Sequence, residues 1–536
     1  MKNILGRLFF STAILFLVSC SSDDDKQPSA KLEIASGLDS GNNMEVDNSS
    51  GTSSFSVVAS STPQVNSDAA WLTATATQPS SLNNVSRVNV TVEANSGEMA
   101  RSGHLTLTVS SLSLTVTVNQ KGTPKQEEPV PDDDDDNGDE EEFGPSINTK
   151  PASISGSTAR EVAFSMGMGW NLGNQMDAFN NGVSSETAWG NKIATQQLFN
   201  VLKEQGFSTV RIPVTWLGHI GTAPQYKIDE AWLGRVVEIV GMVENAGLNA
   251  IVNIHHDGAD SNYWLDIKNC ALNESKQEST VAEIKAVWSQ IAEALKDKGD
   301  FLMLEAFNEI HDGGWGWGSN RNDGGKQYAC LNEWNQAFVD AVRSVGGNNA
   351  TRWLGVPSYV TNIDFATDGS MVLPSDDAGK VMVAVHFYEP NDFGLNSNVT
   401  DWGHTGDNSK KGGWIADEDY VRSQFRKLTD KWVENNVPVY IGEMGPPNQG
   451  TPRGKAFRNY YLEYVTKAAR EAGVATIYWD NGAVGSGENA FGLFSHDNGT
   501  ILNNSQDAIR AMLTGATCDD EDYTLEWVYA NRAPVF

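Results

Sequence analysis

The sequence predicts an α/β chain in which a (β/α)8 barrel of the TIM type follows a small all-β, immunoglobulin-like sandwich. Three observations predict it. Between residues 146 and 516, short apolar runs alternate with amphipathic stretches to give eight strand candidates, the order expected of a closed parallel barrel. Between residues 31 and 122 the chain instead alternates branched apolar and hydroxyl residues with period two, the mark of strands with one buried face. An acidic block, Glu127 to Glu142, separates the two with eleven acidic residues and no basic one.

At the N-terminus, Lys2 and Arg7 precede an apolar run of eleven residues, Leu8 to Val18. That is too short to span a bilayer and suits the apolar region of a signal peptide. The run closes with Leu17-Val-Ser-Cys20 and continues Ser21-Ser-Asp-Asp-Asp25. This resembles a bacterial lipobox followed by the surface-export signal of Bacteroidetes lipoproteins. The resemblance implies a signal peptide over 1–19, lipid on Cys20, a tether over 20–30 and an exported outer-membrane lipoprotein at the cell surface. Ordinary secretion is the alternative.

In the segment 31–122, His104–Ser110 and Leu112–Val118 read as a hairpin turning at Ser110-Ser111, and Val88–Val92 as a further strand. Trp71-Leu-Thr-Ala, Arg101-Ser-Gly103 and the closing Val118-Asn-Gln-Lys-Gly122 resemble the BACON domain. The family name implies carbohydrate binding, whereas the scarcity of aromatics suits a spacer. Residues 123–145 read as a solvated linker, since like charges self-repel and keep a chain extended. No acidic residues there are spaced around a turn glycine as calcium ligands would be.

The barrel strands are expected around 165–170, 209–212, 250–254, 301–307, 352–356, 381–386, 437–442 and 474–479, with helices such as Thr195–Glu204 and Leu233–Val243 between them. No glycine-rich phosphate fingerprint follows the first strand, which disfavours a doubly wound nucleotide-binding fold. Residues 517–536 read as a C-terminal tail. The net charge of −31 repels phosphate backbones and argues against nucleic acid as a partner. With Cys20 carrying lipid, Cys270, Cys330 and Cys518 remain, which permits at most one disulfide in three possible pairings, and none has zinc-site spacing. A monomer is expected.

In such barrels the chemistry sits where strands give way to their following loops. Those ends carry Asn171 and Asn174, Arg211, His255 and His256, Asn308 and Glu309, His386 and Tyr388, Glu443, and Trp479. The segments Gly169-Trp-Asn-Leu-Gly-Asn174, Val210-Arg-Ile-Pro213, Asn253-Ile-His-His-Asp257, Phe307-Asn-Glu309, His386-Phe-Tyr388, Ile441-Gly-Glu443 and Tyr478-Trp479 together resemble the catalytic domain of glycoside hydrolase family 5, over roughly residues 160 to 515. The resemblance makes Glu309 the acid/base and Glu443 the nucleophile of a retaining hydrolysis, which needs two carboxyl groups about 5 to 5.5 Å apart. It places Arg211 and Tyr388 against Glu443, Asn308 on the sugar 2-hydroxyl, His255 and His386 in the site and Trp479 beneath the sugar. Asn174 is a further substrate contact. The stretch Gln175-Met176 replaces the Thr-Leu common in related endoglucanases, a change that bears on nearby subsites and not on the carboxylates.

A metal at His255-His256-Asp257 is not expected, because adjacent residues on a strand end point to opposite faces, and no cofactor is called for. The loop His311-Asp-Gly-Gly-Trp-Gly-Trp-Gly318 offers Trp315 and Trp317 as platforms for sugar faces. Trp189, Trp216, Trp264, Trp402 and Trp414 follow other strands, and two or three of these seven are expected to line a cleft. The expected substrate is a β-1,4-linked glucan (cellulose, mixed-linkage glucan or xyloglucan) cut internally. An endo-β-1,4-mannanase of the same mechanism is the alternative within the class. Outside it stand a non-catalytic surface glycan-binding lipoprotein and an adhesin acting through residues 31–122.

Overall fold

The computed structural model describes residues 30–122, apart from 37, 39–41, 47, 49, 80–83 and 98, and residues 146–536, apart from 397 and 398. Cys20, the expected signal peptide and the acidic block lie outside the described residues. The chain divides into two compact units, which part between Glu140 and Glu141.

The first unit holds two four-stranded sheets. One orders Leu32–Ser36, Gly51–Ala59, Val85–Val92 and Leu72–Ala76; the other orders Asn43–Val46, Leu112–Gln120, Arg101–Val109 and Gln64–Ser67. Period-two alternation turns Phe55, Val57, Val88 and Val90 of one sheet and Leu105, Leu107, Val116 and Val118 of the other into a single buried core, as a sandwich requires. The half-buried Trp71 carries the Arg101 guanidinium 4.3 Å above its ring, and Phe55 is buried. Arg101 therefore covers one face of Trp71, and Phe55 presents none.

In the second unit eight parallel strands close a barrel: Met168–Leu172 (β1), Thr209–Ile212 (β2), Asn249–Asn253 (β3), Leu302–Glu305 (β4), Leu354–Pro357 (β5), Val381–Phe387 (β6), Val439–Met444 (β7) and Val474–Asp480 (β8). Nearly every strand residue is buried, which is why these segments read as continuous apolar runs and not as alternating ones. β1 begins three residues later than the sequence suggests. A capping box in which Thr158 and Glu161 bond each other's backbone starts a helix, Ala159–Ser165, that claims Ser165.

That helix, through Val162 and Ala163, joins Ile251, Met303, Met382, Tyr440 and Ile477 in an apolar cluster. The early positions of Met303, Met382 and Tyr440 in their strands put this plug at the N-terminal end of the barrel, leaving the polar strand ends at the other. Helix Pro452–Ala472, capped by Thr451 and stopped by Gly473 at φ 81°, packs outside β8. The segment expected as a tail carries helix Leu525–Arg532, tied to this helix by Tyr523 Oη donating to Glu463 at 2.9 Å and the Leu525 N–H donating to Glu471 at 2.8 Å. Cys270, Cys330 and Cys518 are buried and unpaired. Among the described residues no helix is long and apolar enough to cross a membrane.

Candidate active site

Above the apolar plug lies a layer of buried polar side chains centred on Arg211 of β2, which is fully enclosed. Its Nη1 donates to Glu443 Oε1 at 2.8 Å and Asn171 Oδ1 at 3.0 Å. Nη2 donates to Glu305 Oε1 at 2.7 Å and Asn308 Oδ1 at 2.9 Å, and Nε donates to Glu305 Oε2 at 3.0 Å. Burial alone would make this cation easier to deprotonate. Glu305 and Glu443 overcome that and hold it protonated.

Glu443, at the end of β7, also accepts from Tyr388 Oη at 3.0 Å, and His255 Nε2 lies 3.8 Å from it. Glu309, just beyond β4, has a different neighbour: its Oε1 lies 2.7 Å from His386 Nδ1. One carboxylate oxygen from each glutamate and a ring nitrogen of His386 all lie within 4.8 Å of one another. That spacing suits a retaining pair and is too short for the 6.5–9.5 Å of an inverting one.

Burial raises both carboxyls above the ordinary range, against the opposing charge of Arg211 at each. Two direct donors favour the anion at Glu443, so the proton belongs on Glu309. Burial also pushes His386 down to about 4 and His255 well below its usual value, despite the acidic neighbours of His386, so both imidazoles are neutral near pH 7.

The chain resembles known proteins over the barrel that carries this site. Residues 173–485 match the family model described as cellulase, glycosyl hydrolase family 5. The chain belongs to glycosyl hydrolase family 5. Residues 50–121 match the BACON model, described as a putative N-terminal binding domain. A GH5-4 broad-specificity endoglucanase from Bacteroides salanitronis is 55% identical, with 69% of this chain and 98% of that one covered and a TM-score of 0.67. Endoglucanase A of Paenibacillus barcinonensis is 36% identical over 388 residues, 69% of this chain and 94% of its own. A Bacteroides ovatus GH5 xyloglucanase in complex with a XXXG heptasaccharide is 27% identical, with 91% of this chain and all of that one covered and a TM-score of 0.59.

In the family 5 domain, Trp479 is half-buried at the end of β8 and lies parallel to the His255 ring, 5.8 Å away. Gly173 makes room for it, since a Cβ there would sit 2.8 Å from the indole. Asn174 occupies the turn after β1 at φ 55°, its carbonyl accepting from Asn191. Asn171, buried within β1, is the asparagine that meets Arg211.

The expectation that His255 and His256 diverge is wrong. β3 ends at Asn253 and His255 takes φ −102°, ψ −83°, so the chain kinks and the two rings meet at 4.4 Å. Asp257 turns away to accept from the Trp216 N–H and Trp264 Nε1. Asp177 approaches instead, and Asp177, His255 and His256 place ligating atoms within 4.8 Å of one another. The donor set does not suit a metal: His255 Nδ1 accepts from Asn253, leaving its Nε2–H toward Glu443, and His256 Nδ1 donates to the Asp177 carbonyl.

An aromatic wall leads away from Trp479 through His255 and His256 to Trp189 and Phe179, 5.5 and 5.8 Å from the His256 ring, and on to Tyr263. Trp189 is 41% exposed; Trp315, Trp317 and Trp414 are 57%, 82% and 44% exposed. Trp216 and Trp402 are core residues, and Trp264 is half-buried. Sequence reasoning missed Phe179, Tyr263, Asp177, Glu305 and Tyr440. A charge ending the apolar run Leu302-Met-Leu-Glu305 was the available signal for Glu305.

Proposed function

We propose that this chain is a retaining endo-β-1,4-glucanase that acts on soluble β-glucans including xyloglucan, with Glu443 as nucleophile and Glu309 as acid/base. The observation that carries the reading is the pair of carboxylates within 4.8 Å, one held by two donors and the other by a neutral histidine. A Glu443 oxygen attacks the anomeric carbon, the C1–O4 bond breaks, and the Glu309 proton passes to O4. Ester formation removes the charge on Glu443, which lowers the pKa of Glu309 and readies it as a base. Water then gives a proton to Glu309 while its oxygen displaces Glu443 from C1. In this reading Asn308, whose Oδ1 accepts from Arg211, bonds the sugar 2-hydroxyl, a contact worth most in the transition state.

The long aromatic wall supports attack within a polymer. The Bacteroides ovatus relative, whose coverage extends over the first unit as well, supports xyloglucan as a substrate. A buried Phe55 and a Trp71 covered on one face by Arg101 support residues 31–122 as a spacer between the barrel and a lipid on Cys20, on an outer-membrane lipoprotein at the cell surface.

The experiment is to incubate the purified chain with xyloglucan, barley glucan, carboxymethylcellulose and glucomannan and size the products. Internal cleavage of the glucans, lost in Glu443→Gln with folding intact, is expected. Wild-type turnover by that variant, or a preference for mannan, overturns the reading.

A further inference from the structure

Arg211 is a buried cation with two acidic partners, and under the reading above only one of them keeps its charge throughout the reaction. Glu443 loses its charge each time the glycosyl-enzyme forms. A guanidinium then left unpaired inside the barrel would be strongly disfavoured, because its desolvation would no longer be offset. Glu305 lies beneath Arg211, 1% exposed and away from the mouth. Burial would raise its pKa, yet the Arg211 charge and hydrogen bonds hold it below the usual range.

The surroundings of Glu305 fix one pose. Oε1 accepts from Arg211 Nη2 at 2.7 Å and Asn253 Nδ2 at 2.9 Å, and Oε2 accepts from Tyr440 Oη at 2.7 Å. Space for the Tyr440 hydroxyl exists because residue 355 of β5 is glycine; a Cβ there would lie 2.2 Å from it.

We propose that Glu305 is a positioning residue for the reaction, the permanent counter-ion that keeps Arg211 aimed at Glu443 and neutralised while the glycosyl ester exists. It also keeps Arg211 from over-stabilising the Glu443 carboxylate, which would make it a poorer nucleophile. The proposal rests on Glu443 being the nucleophile. The groups facing Glu443 are Arg211 from β2, His255 after β3, Glu309 after β4, and His386 and Tyr388 at the end of β6. Those around Glu305 are Arg211 and Tyr440, with His386 farther off. Among these, Glu305 is the acid that takes no part in bond making.

The test uses the full chain and a 2-deoxy-2-fluoro-cellobioside with a dinitrophenolate leaving group, which traps the glycosyl-enzyme. Peptide mapping of the wild type is expected to find the adduct on Glu443. Glu305→Gln should form it about 30-fold more slowly, and the acidic limb of its rate–pH profile should move to lower pH because Arg211 then acts on Glu443 alone. Glu305→Asp, which restores the charge, should recover most of the rate and the limb. Tyr440→Phe, which removes one bond fixing Glu305, should slow trapping about threefold.

A folded Glu305→Gln that traps at the wild-type rate with an unmoved limb overturns the proposal. Should that variant fail to fold, an unchanged rate in Tyr440→Phe overturns it. A wild-type adduct on any residue other than Glu443 is a distinct result, which refutes the nucleophile assignment and takes this proposal with it.

Discussion

Glu309 and Glu443 are the same amino acid in the same barrel mouth, and their neighbours separate them. With Glu443 as the proposed nucleophile and Glu309 as the proposed acid, the acidic limb of kcat/KM against pH should belong to the first and the basic limb to the second. Because burial raises both, the bell should lie above the range of free carboxyls; Glu309→Gln should abolish the basic limb. On polysaccharide that variant should lose about a thousandfold in kcat/KM, and far less in kcat/KM on a dinitrophenyl cellobioside, whose leaving group needs no proton. Asp177 makes a stability prediction. Its Oδ2 has no hydrogen-bond partner, and burial raises it to about 7. A carboxyl whose folded pKa is raised favours folding below its unfolded value and loses that contribution as pH rises through the folded one. Relative to wild type, Asp177→Asn should therefore gain stability between about pH 4 and 7 and hold a constant advantage above, as measured by urea unfolding at each pH.

At the scale of the element, the loop after β4 shows how a flexible-looking sequence presents a rigid platform. Asp312 accepts from the Gly314 and Asn320 N–H groups and from Gln327 Nε2. Against the effect of burial, its hydrogen bonds, with Ser319 foremost, pull its carboxyl down to about 2. Gly318 is required because a Cβ there would meet Asp312 at 2.3 Å. Trp315 is held at φ 49°, a conformation a large side chain rarely takes, against His311 at 4.2 Å; such strain clusters at binding sites. Trp315→Ala should raise KM for xyloglucan about five- to tenfold, one stacking contact being worth roughly 1 kcal/mol. Asp312→Ala should do the same by loosening the loop, and both should leave kcat/KM on an aryl cellobioside within about twofold. The glycines and tryptophans were legible in the sequence. The clamp that makes them a platform was not, since it depends on Gln327 fifteen residues from Asp312 and on backbone groups that no residue pattern encodes.

At the scale of the whole molecule, the two units part between Glu140 and Glu141, and the sandwich has its own core. Removing residues 31–122 should leave kcat/KM on soluble xyloglucan unchanged within about twofold, whereas a glycan-binding role would raise KM on the polymer in the truncated chain. The proposed lipid on Cys20 predicts that Cys20→Ala moves the protein from the membrane to the soluble fraction on cell fractionation, while leaving catalysis intact.

Local patterning by itself determined the fold class, because a barrel strand buried on both faces and a helix buried on one leave different periods in the chain. It also determined which polar residues end the strands, since a charge after an apolar run stands out without any knowledge of its neighbours. Barrel closure decided the rest by joining groups far apart in sequence. It gave Arg211 a second acid in Glu305, brought Asp177 to His256 where a kink turns the paired histidines together, buried Trp216 and Trp402 while leaving Trp189 exposed, and left three thiols unpaired. Each of these depends on distance in space, which composition and period do not carry.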